Sequence, residues 1–209
     1  MRGLAAGAVA LGVLFASVPV RPSQPARASD PAPKGGRARP TDAEIGDIRV
    51  YLTPEQAVRE IFTGVASVET LLAVLTADEM RELKTRVGFP APSDTVRILR
   101  PRSAEGTTLG YAVMAEEVGK YRPITFLVGT DAERRVKGVE VLVYRESRGG
   151  EVRRERFLRQ YRTKSAADPL RANRDILNVA GATLSVNAMN RGVKRVLITL
   201  DFLAARGVR

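Results

Sequence analysis

Gly181-Ala182-Thr183-Leu184-Ser185 is the stretch that decides the reading of this chain. Small residues lead into hydroxyl-bearing ones, and a helical pattern begins at once. Val186, Met189, Val193, Val196, Leu197, Leu200 and Leu203 recur at spacings of three and four. That period predicts a helix over about 185–205. The first amides of a helix have no partner inside it and carry partial positive charge, so they favour a phosphate. Small residues let the backbone approach a ligand closely. A hydroxyl at this place could contact a phosphate or be esterified to it; it could equally be an ordinary helix cap, at Thr183 or Ser185.

Outward from this turn the chain alternates between strand and helix signals. Leu109 to Ala115, Ile124 to Gly129 and Val136 to Tyr144 read as strands. The polar turn from Gly129 to Arg135 joins the last two as a hairpin. Val139, Val141 and Val143 alternate with Glu140, Leu142 and Tyr144, which suggests one face in the core. Asp42 to Phe89 reads as helical. Thr53-Pro54-Glu55-Gln56 and Thr76-Ala77-Asp78-Glu79 are two capping signatures within it, and Gly88 with Pro90 closes the second helix. Helices before and after an antiparallel sheet make the class α+β, with flanking helices, a helical N-terminal segment and a long C-terminal helix. The N-terminal helical part is expected to pack on the sheet as a layer; the alternative is a lid or docking element for a partner. Glu151 to Arg162 holds Arg153, Arg154, Arg156, Arg159 and Arg162, with Phe157, Leu158 and Tyr161 inside one turn. It reads as an amphipathic helix with a solvated face, whose arginines could otherwise clamp a phosphate or dock an acidic partner.

The 209 residues include no Cys, no His and no Trp. Without Cys there are no disulfides, thiolate nucleophiles, iron–sulfur clusters or Cys-linked haem. Without His there is no Ser-His-Asp triad, and most zinc and copper sites are excluded. No loop carries the alternating Asp pattern of a calcium site. No GxGxxG or GxxxxGK[ST] fingerprint is present. Glu116 and Glu117 are neighbours on a strand, so they face opposite ways and make a poor acid/base pair; both are expected to be solvated. Any redox chemistry would need an organic cofactor.

The N-terminus reads as an export signal. Arg2 supplies the positive region, Leu4 to Val20 is apolar without charge, and Ala26-Arg27-Ala28 offers a cleavage site before Ser29. The alternative is an uncleaved membrane anchor. Residues 1–28 are therefore a signal peptide or anchor, and 29–41, rich in Pro, Ala, Gly and Arg, a disordered linker. The helical N-terminal part spans 42–105, and the C-terminal domain 106–209. The net charge is +11; loss of Arg2, Arg21 and Arg27 with the signal would leave +8. Such a surface suits an acidic protein or anionic lipid. Export and the lack of an aromatic stacking platform argue against nucleic acid.

Gly181-Ala182-Thr183, continued by Leu184-Ser185, resembles the Gly-Ala-Thr core of the FMN-binding domain family, which includes the C subunit of the sodium-translocating NADH:quinone reductase and the G subunit of the Rnf complex. Gly119 to Ile124 with Thr125 to Val128 resembles its central strand. Val139 to Tyr144, ending in Glu146-Ser147-Arg148-Gly149, resembles its strand and Glu-and-Gly loop. Phe157 to Tyr161 with Lys164 resembles the next segment of the family. The resemblance runs from about 106 to 205. It implies FMN as cofactor, joined through its phosphate to Thr183 by a dedicated flavin transferase. It implies a binding set of Thr183, Gly181, Ala182, Leu184, Ser185, Glu146, Arg148, Gly149 and Lys164. It also implies an extracytoplasmic electron carrier, periplasmic or anchored facing the periplasm, with redox proteins as partners and no substrate turnover of its own. Two positions depart from the pattern: Ala180 stands where the family has Ser or Thr, and Leu177 where it has Asp, with Asp175 two residues further back. They motivate an alternative, a non-redox binding or assembly module that keeps the fold but lacks covalent flavin.

Overall fold

In the computed structural model, residues 46–207 are described. The export segment and linker read from the sequence lie outside them. The ten main elements, in chain order, are β1 (Arg49–Val50), α1 (Pro54–Ile61), β2 (Ser67–Val74), α2 (Ala77–Val87), β3 (Thr95–Arg102), β4 (Tyr111–Val118), β5 (Pro123–Thr130), β6 (Val136–Tyr144), α3 (Glu155–Leu158) and α4 (Thr183–Ala205). The strands form one antiparallel sheet in the order β1-β6-β5-β4-β3-β2. The class is α+β.

The two capping signatures work as their chemistry requires. Thr53 Oγ1 accepts from the Gln56 amide at 3.2 Å while Gln56 Oε1 accepts from the Thr53 amide at 2.8 Å. Thr76 and Glu79 exchange the same pair of bonds at 3.2 and 2.7 Å. Between α1 and α2, however, the chain is not helical: Ser67–Val74 is an edge strand. It pairs along its whole length with β3, from Ser67↔Arg102 to Val74↔Thr95. The sheet therefore takes three strands, β1, β2 and β3, from the 42–105 part of the chain.

Both faces of the sheet are covered. On one lies α4, 23 residues long, whose Val186, Met189, Val193 and Leu197 are fully buried against Ile124, Phe126, Val139 and Val141. Gly192 allows this approach, because a side chain there would collide with the Phe126 ring. On the other face α1 packs Ala57, Val58 and Phe62 over Ala112, Leu127 and Leu142. No helix among the described residues is long and apolar enough to cross a membrane.

One irregularity sets the direction of a key side chain. Strand β6 bulges where Thr125 pairs with Val143 but Phe126 pairs with Val141. Simple alternation would put Val143 with Val139 and Val141 and turn Tyr144 to the other side. The bulge shifts the phase: Val143 packs with the α1 cluster and Tyr144 is buried on the α4 side. The segment after β6 is also not one amphipathic helix. It is broken into a 3-10 turn (Gly150–Arg153), the single turn α3, and a second 3-10 turn (Arg159–Tyr161). Its apolar side chains Phe157, Leu158 and Tyr161 are buried as the spacing predicts, with the two rings edge-on at 5.6 Å. Of the adjacent carboxylates, Glu116 is half exposed, but Glu117 is buried at 7 % exposure and paired with Arg191 and Arg195 of α4. The expectation of a solvated Glu117 is corrected: its side chain points inward to the helix, where two guanidiniums meet it.

Candidate functional site

The helix α4 begins without a side-chain cap. Ala182 is the cap residue, and no side chain bonds the first turn. The first amide with an acceptor inside the helix is Val186, which donates to the Ala182 carbonyl at 2.9 Å. The amides of Thr183, Leu184 and Ser185 therefore have no intrahelical acceptor. Neither hydroxyl caps the helix. Thr183 is its first residue, and its Oγ1 accepts from Asn178 Nδ2 at 3.0 Å. Asn178 Oδ1 in turn accepts from the Val179 amide at 2.9 Å, which fixes the orientation of the Asn178 side chain. Gly181 turns the chain into the helix at φ +78°, a left-handed conformation that a side chain would strain.

Ser185 points inward. Its hydroxyl lies 2.9 Å from the Tyr144 oxygen, and the Tyr144 hydroxyl is 2.6 Å from the Arg148 carbonyl. A carbonyl only accepts, so Tyr144 donates to it and Ser185 donates to Tyr144. Burial pushes the Tyr144 phenol up to about 12, so it stays protonated and this order holds at neutral pH. The β6 bulge is what brings Tyr144 to this place. Gly149 sits over the pair at φ +87°; a Cβ there would lie 2.5 Å from Ser185 Oγ and 2.6 Å from the Tyr144 oxygen.

The third wall is the turn between β4 and β5. Glu146 is 5 % exposed, and its Oε1 accepts from the amides of Tyr121 and Arg122 at 2.6 and 2.9 Å. One carboxylate thus ties the loop after β6 to the turn holding Lys120. Gly119 makes room for it, since a Cβ there would come within 3.1 Å of Glu146 Oε1. Together these pieces enclose a cavity of about 570 Å³. Its lining includes Gly181, Ala182, Thr183, Leu184, Ser185, Glu146, Arg148 and Gly149, together with Lys120, Tyr121 and Ser147.

Eight of the nine residues named from the sequence thus line one cavity. Lys164 is not among them. It pairs with Asp168 at 3.5 Å and Asp175 at 3.4 Å, in the segment that leads toward α4. Asp175 also accepts from the amides of Leu170 and Arg171, and these bonds hold its carboxyl below the usual range despite the cost of burial. The exposed Leu177 exchanges backbone bonds with the Gln160 side chain. The five arginines of the basic segment do not line the cavity either. In the sequence, Lys120, Tyr121 and Ser147 read only as parts of strand and loop. No spacing rule places them against residues so far along the chain; a long-range pairing does.

Residues 119–198 match the profile of the FMN-binding domain family. The matched segment contains all three walls of the cavity, and the match indicates FMN as the cofactor. Among solved structures, the crystal structure of Shewanella oneidensis NqrC is similar. It is 19 % identical, the alignment covers 65 % of this chain and 80 % of that one, and the TM-score is 0.49. No curated protein matches the chain.

Proposed function

We propose that this protein is an extracytoplasmic electron carrier whose FMN is esterified through its phosphate to Thr183 by a flavin transferase. The observation that carries this reading is the start of α4. Three amides without intrahelical acceptors and the Thr183 hydroxyl line one cavity, inside the segment that matches the FMN-binding domain. The residues fit the group. The amides of Thr183 to Ser185 suit a phosphate. Lys120 and Arg148 add positive charge, and Tyr121 and Leu184 add apolar surface. Bound FMN would supply one- and two-electron chemistry, and the protein supplies attachment, orientation and electrostatics. Lys120 and Arg148 would stabilise negative charge gained by the ring. Glu146 keeps the Lys120 turn in place. Asn178 holds the Thr183 oxygen, so the hydroxyl proton points away from it. A carrier of this kind needs no general base, which suits a chain without His.

Export rests on the N-terminal pattern, and partners are inferred from it: a flavin transferase, then redox proteins of an extracytoplasmic chain at or near the membrane. The positive charge favours acidic docking surfaces.

The test is co-expression of the full-length protein with a flavin transferase in an export-competent host. A denatured gel viewed under ultraviolet light, with an intact mass, reads the result. Fluorescence and an added mass of FMN less one water are expected, with residues 1–28 gone or retained in the same spectrum. An unmodified mass would defeat the covalent reading. It would favour the flavin-free module, for which the exposed Ala180 and Leu177 speak. Electron transfer that survives Thr183→Ala with the flavin lost would sink the carrier model altogether.

A further inference from the structure

A second cavity lies inside the sheet itself. β3 and β4 are neighbours, yet they pair only at Ile98↔Val113 and Leu99↔Ala112. The flanking pairs β2–β3 and β4–β5 run the full length of their strands. Continued in register, Val96 would face Ala115 and Thr95 would face Glu116. Instead the strands part there, and the sheet opens. A cavity of about 380 Å³ occupies the opening. Its walls are Val96, Val113 and Ala115 from the strands, with Leu75, Leu83 and Val196 behind them.

The charges at this opening are unevenly satisfied. Glu116 already accepts from Thr125 Oγ1 at 2.7 Å and lies near Arg145. Arg97 and Glu55 line the rim of the opening; both are exposed, and neither has an ion-pair partner among the described residues. Deeper in, Arg195 spends one terminal nitrogen on Glu117, while its Nε is buried with no acceptor. Buried polar groups are normally bonded. An apolar floor, one unpaired cation at the mouth and an unsatisfied donor behind it describe a ligand by complement.

We propose that this opening is a second ligand site, for a small amphiphile with an apolar body and a single anionic oxygen group. The body rests on Leu83, Val113 and Val196, and the anion meets Arg97. A dianion would lack a second unpaired cation. An extended peptide would not enter, because the opening closes to a paired sheet at Ile98 and Val113. The site shares no residue with the Thr183 cavity. Thr183 and Arg195 stand twelve residues apart on α4, about 18 Å along the helix. The proposal is therefore independent of the flavin reading.

The probe is anilinonaphthalene sulfonate, an aromatic monoanion, titrated into the purified full chain beside the neutral N-phenylnaphthylamine. Amide shifts locate both dyes. Saturable one-to-one binding is expected, with shifts confined to 95–98, 113–116 and the residues next to Leu83 and Val196. Arg97→Gln should weaken the sulfonate about tenfold, the scale of one charge-assisted hydrogen bond. The neutral dye should change by less than about twofold, since it makes no such bond. Ala115→Leu should reduce both by filling the space. Arg97 is exposed on its strand, so the glutamine variant tests the anion contact without disturbing the core. Absence of saturable binding would overturn the proposal. So would shifts elsewhere in the chain, or equal losses of the two dyes in Arg97→Gln.

Discussion

The helices α2 and α4 start differently. At α2, Thr76 and Glu79 exchange two bonds with the backbone, and Gly88 closes the other end with its amide on Lys84. The helix satisfies its own termini. At α4 two hydroxyls stand within the first turn, yet neither caps it: Thr183 is held by Asn178 and Ser185 by Tyr144. The same residue chemistry is used once to finish a helix and once to leave its start open. A helix end that only supports the fold gains about 1 kcal/mol from a cap. Leaving α4 uncapped forgoes that gain and keeps three amides for another group. This difference is the physical case for a site at Thr183, and substitutions around the two helix starts test it.

The largest effect is expected from Thr183→Ala. With no hydroxyl there is no ester, so the added mass of FMN should vanish completely in the presence of the transferase. Stability of the flavin-free protein should change by less than about 0.5 kcal/mol, because Thr183 caps nothing. A retained adduct would place the ester elsewhere. A loss near 1 kcal/mol in denaturant unfolding, the usual cost of a lost cap, would show that the hydroxyl caps α4 after all.

Gly149→Ala comes next. The residue has φ +87°, and a Cβ would press on Ser185 Oγ and the Tyr144 oxygen. Strain and contact together should cost about 2–4 kcal/mol. The loop would shift away from α4, so the extent of flavin attachment should fall as well. If stability drops while attachment is unchanged, the loop does not shape the cavity.

What a sequence can reveal depends on the range of each interaction. The α1 and α2 starts are legible because a capping box is written within four residues. β5, β6 and the body of α4 are legible from local periodicity. β2 is not: Leu71 and Leu72 are adjacent, so alternation is broken, and its partner among the described residues lies about thirty residues on, at β3. β3 carries Pro101, which weakens any strand reading. Of the candidate site, the Gly-Ala-Thr turn and the Glu146–Gly149 loop are legible as motifs. Lys164 is drawn toward the site by its place in the chain, whereas Asp168 and Asp175 hold it among the residues before α4. Tyr144 is invisible as a site residue because one bulge reverses the face that alternation assigns.

Tyr144→Phe tests that reversed side chain. The change removes the donor to the Arg148 carbonyl and the acceptor for Ser185 with almost no change of volume. Two hydrogen bonds in a buried place suggest a cost of about 1–3 kcal/mol. The Arg148 loop should also exchange its amides faster than in the parent. An unchanged exchange pattern would mean that the Glu146 bonds to Tyr121 and Arg122 alone hold the loop.

The smallest effect closes the comparison from the other side. Thr76→Ala removes the cap of α2 and should cost about 1 kcal/mol, read as a lower denaturant midpoint with an unchanged slope. Flavin attachment should be the same as in the parent, since α2 packs at the far end of α4, where Arg206 reaches Glu79 and the Val74 carbonyl. Thr76→Ala and Thr183→Ala should therefore give opposite patterns: stability without chemistry for one, chemistry without stability for the other. If the two substitutions behaved alike in both assays, the open start of α4 would carry no special role, and Thr183 would be one more residue at a frayed helix end.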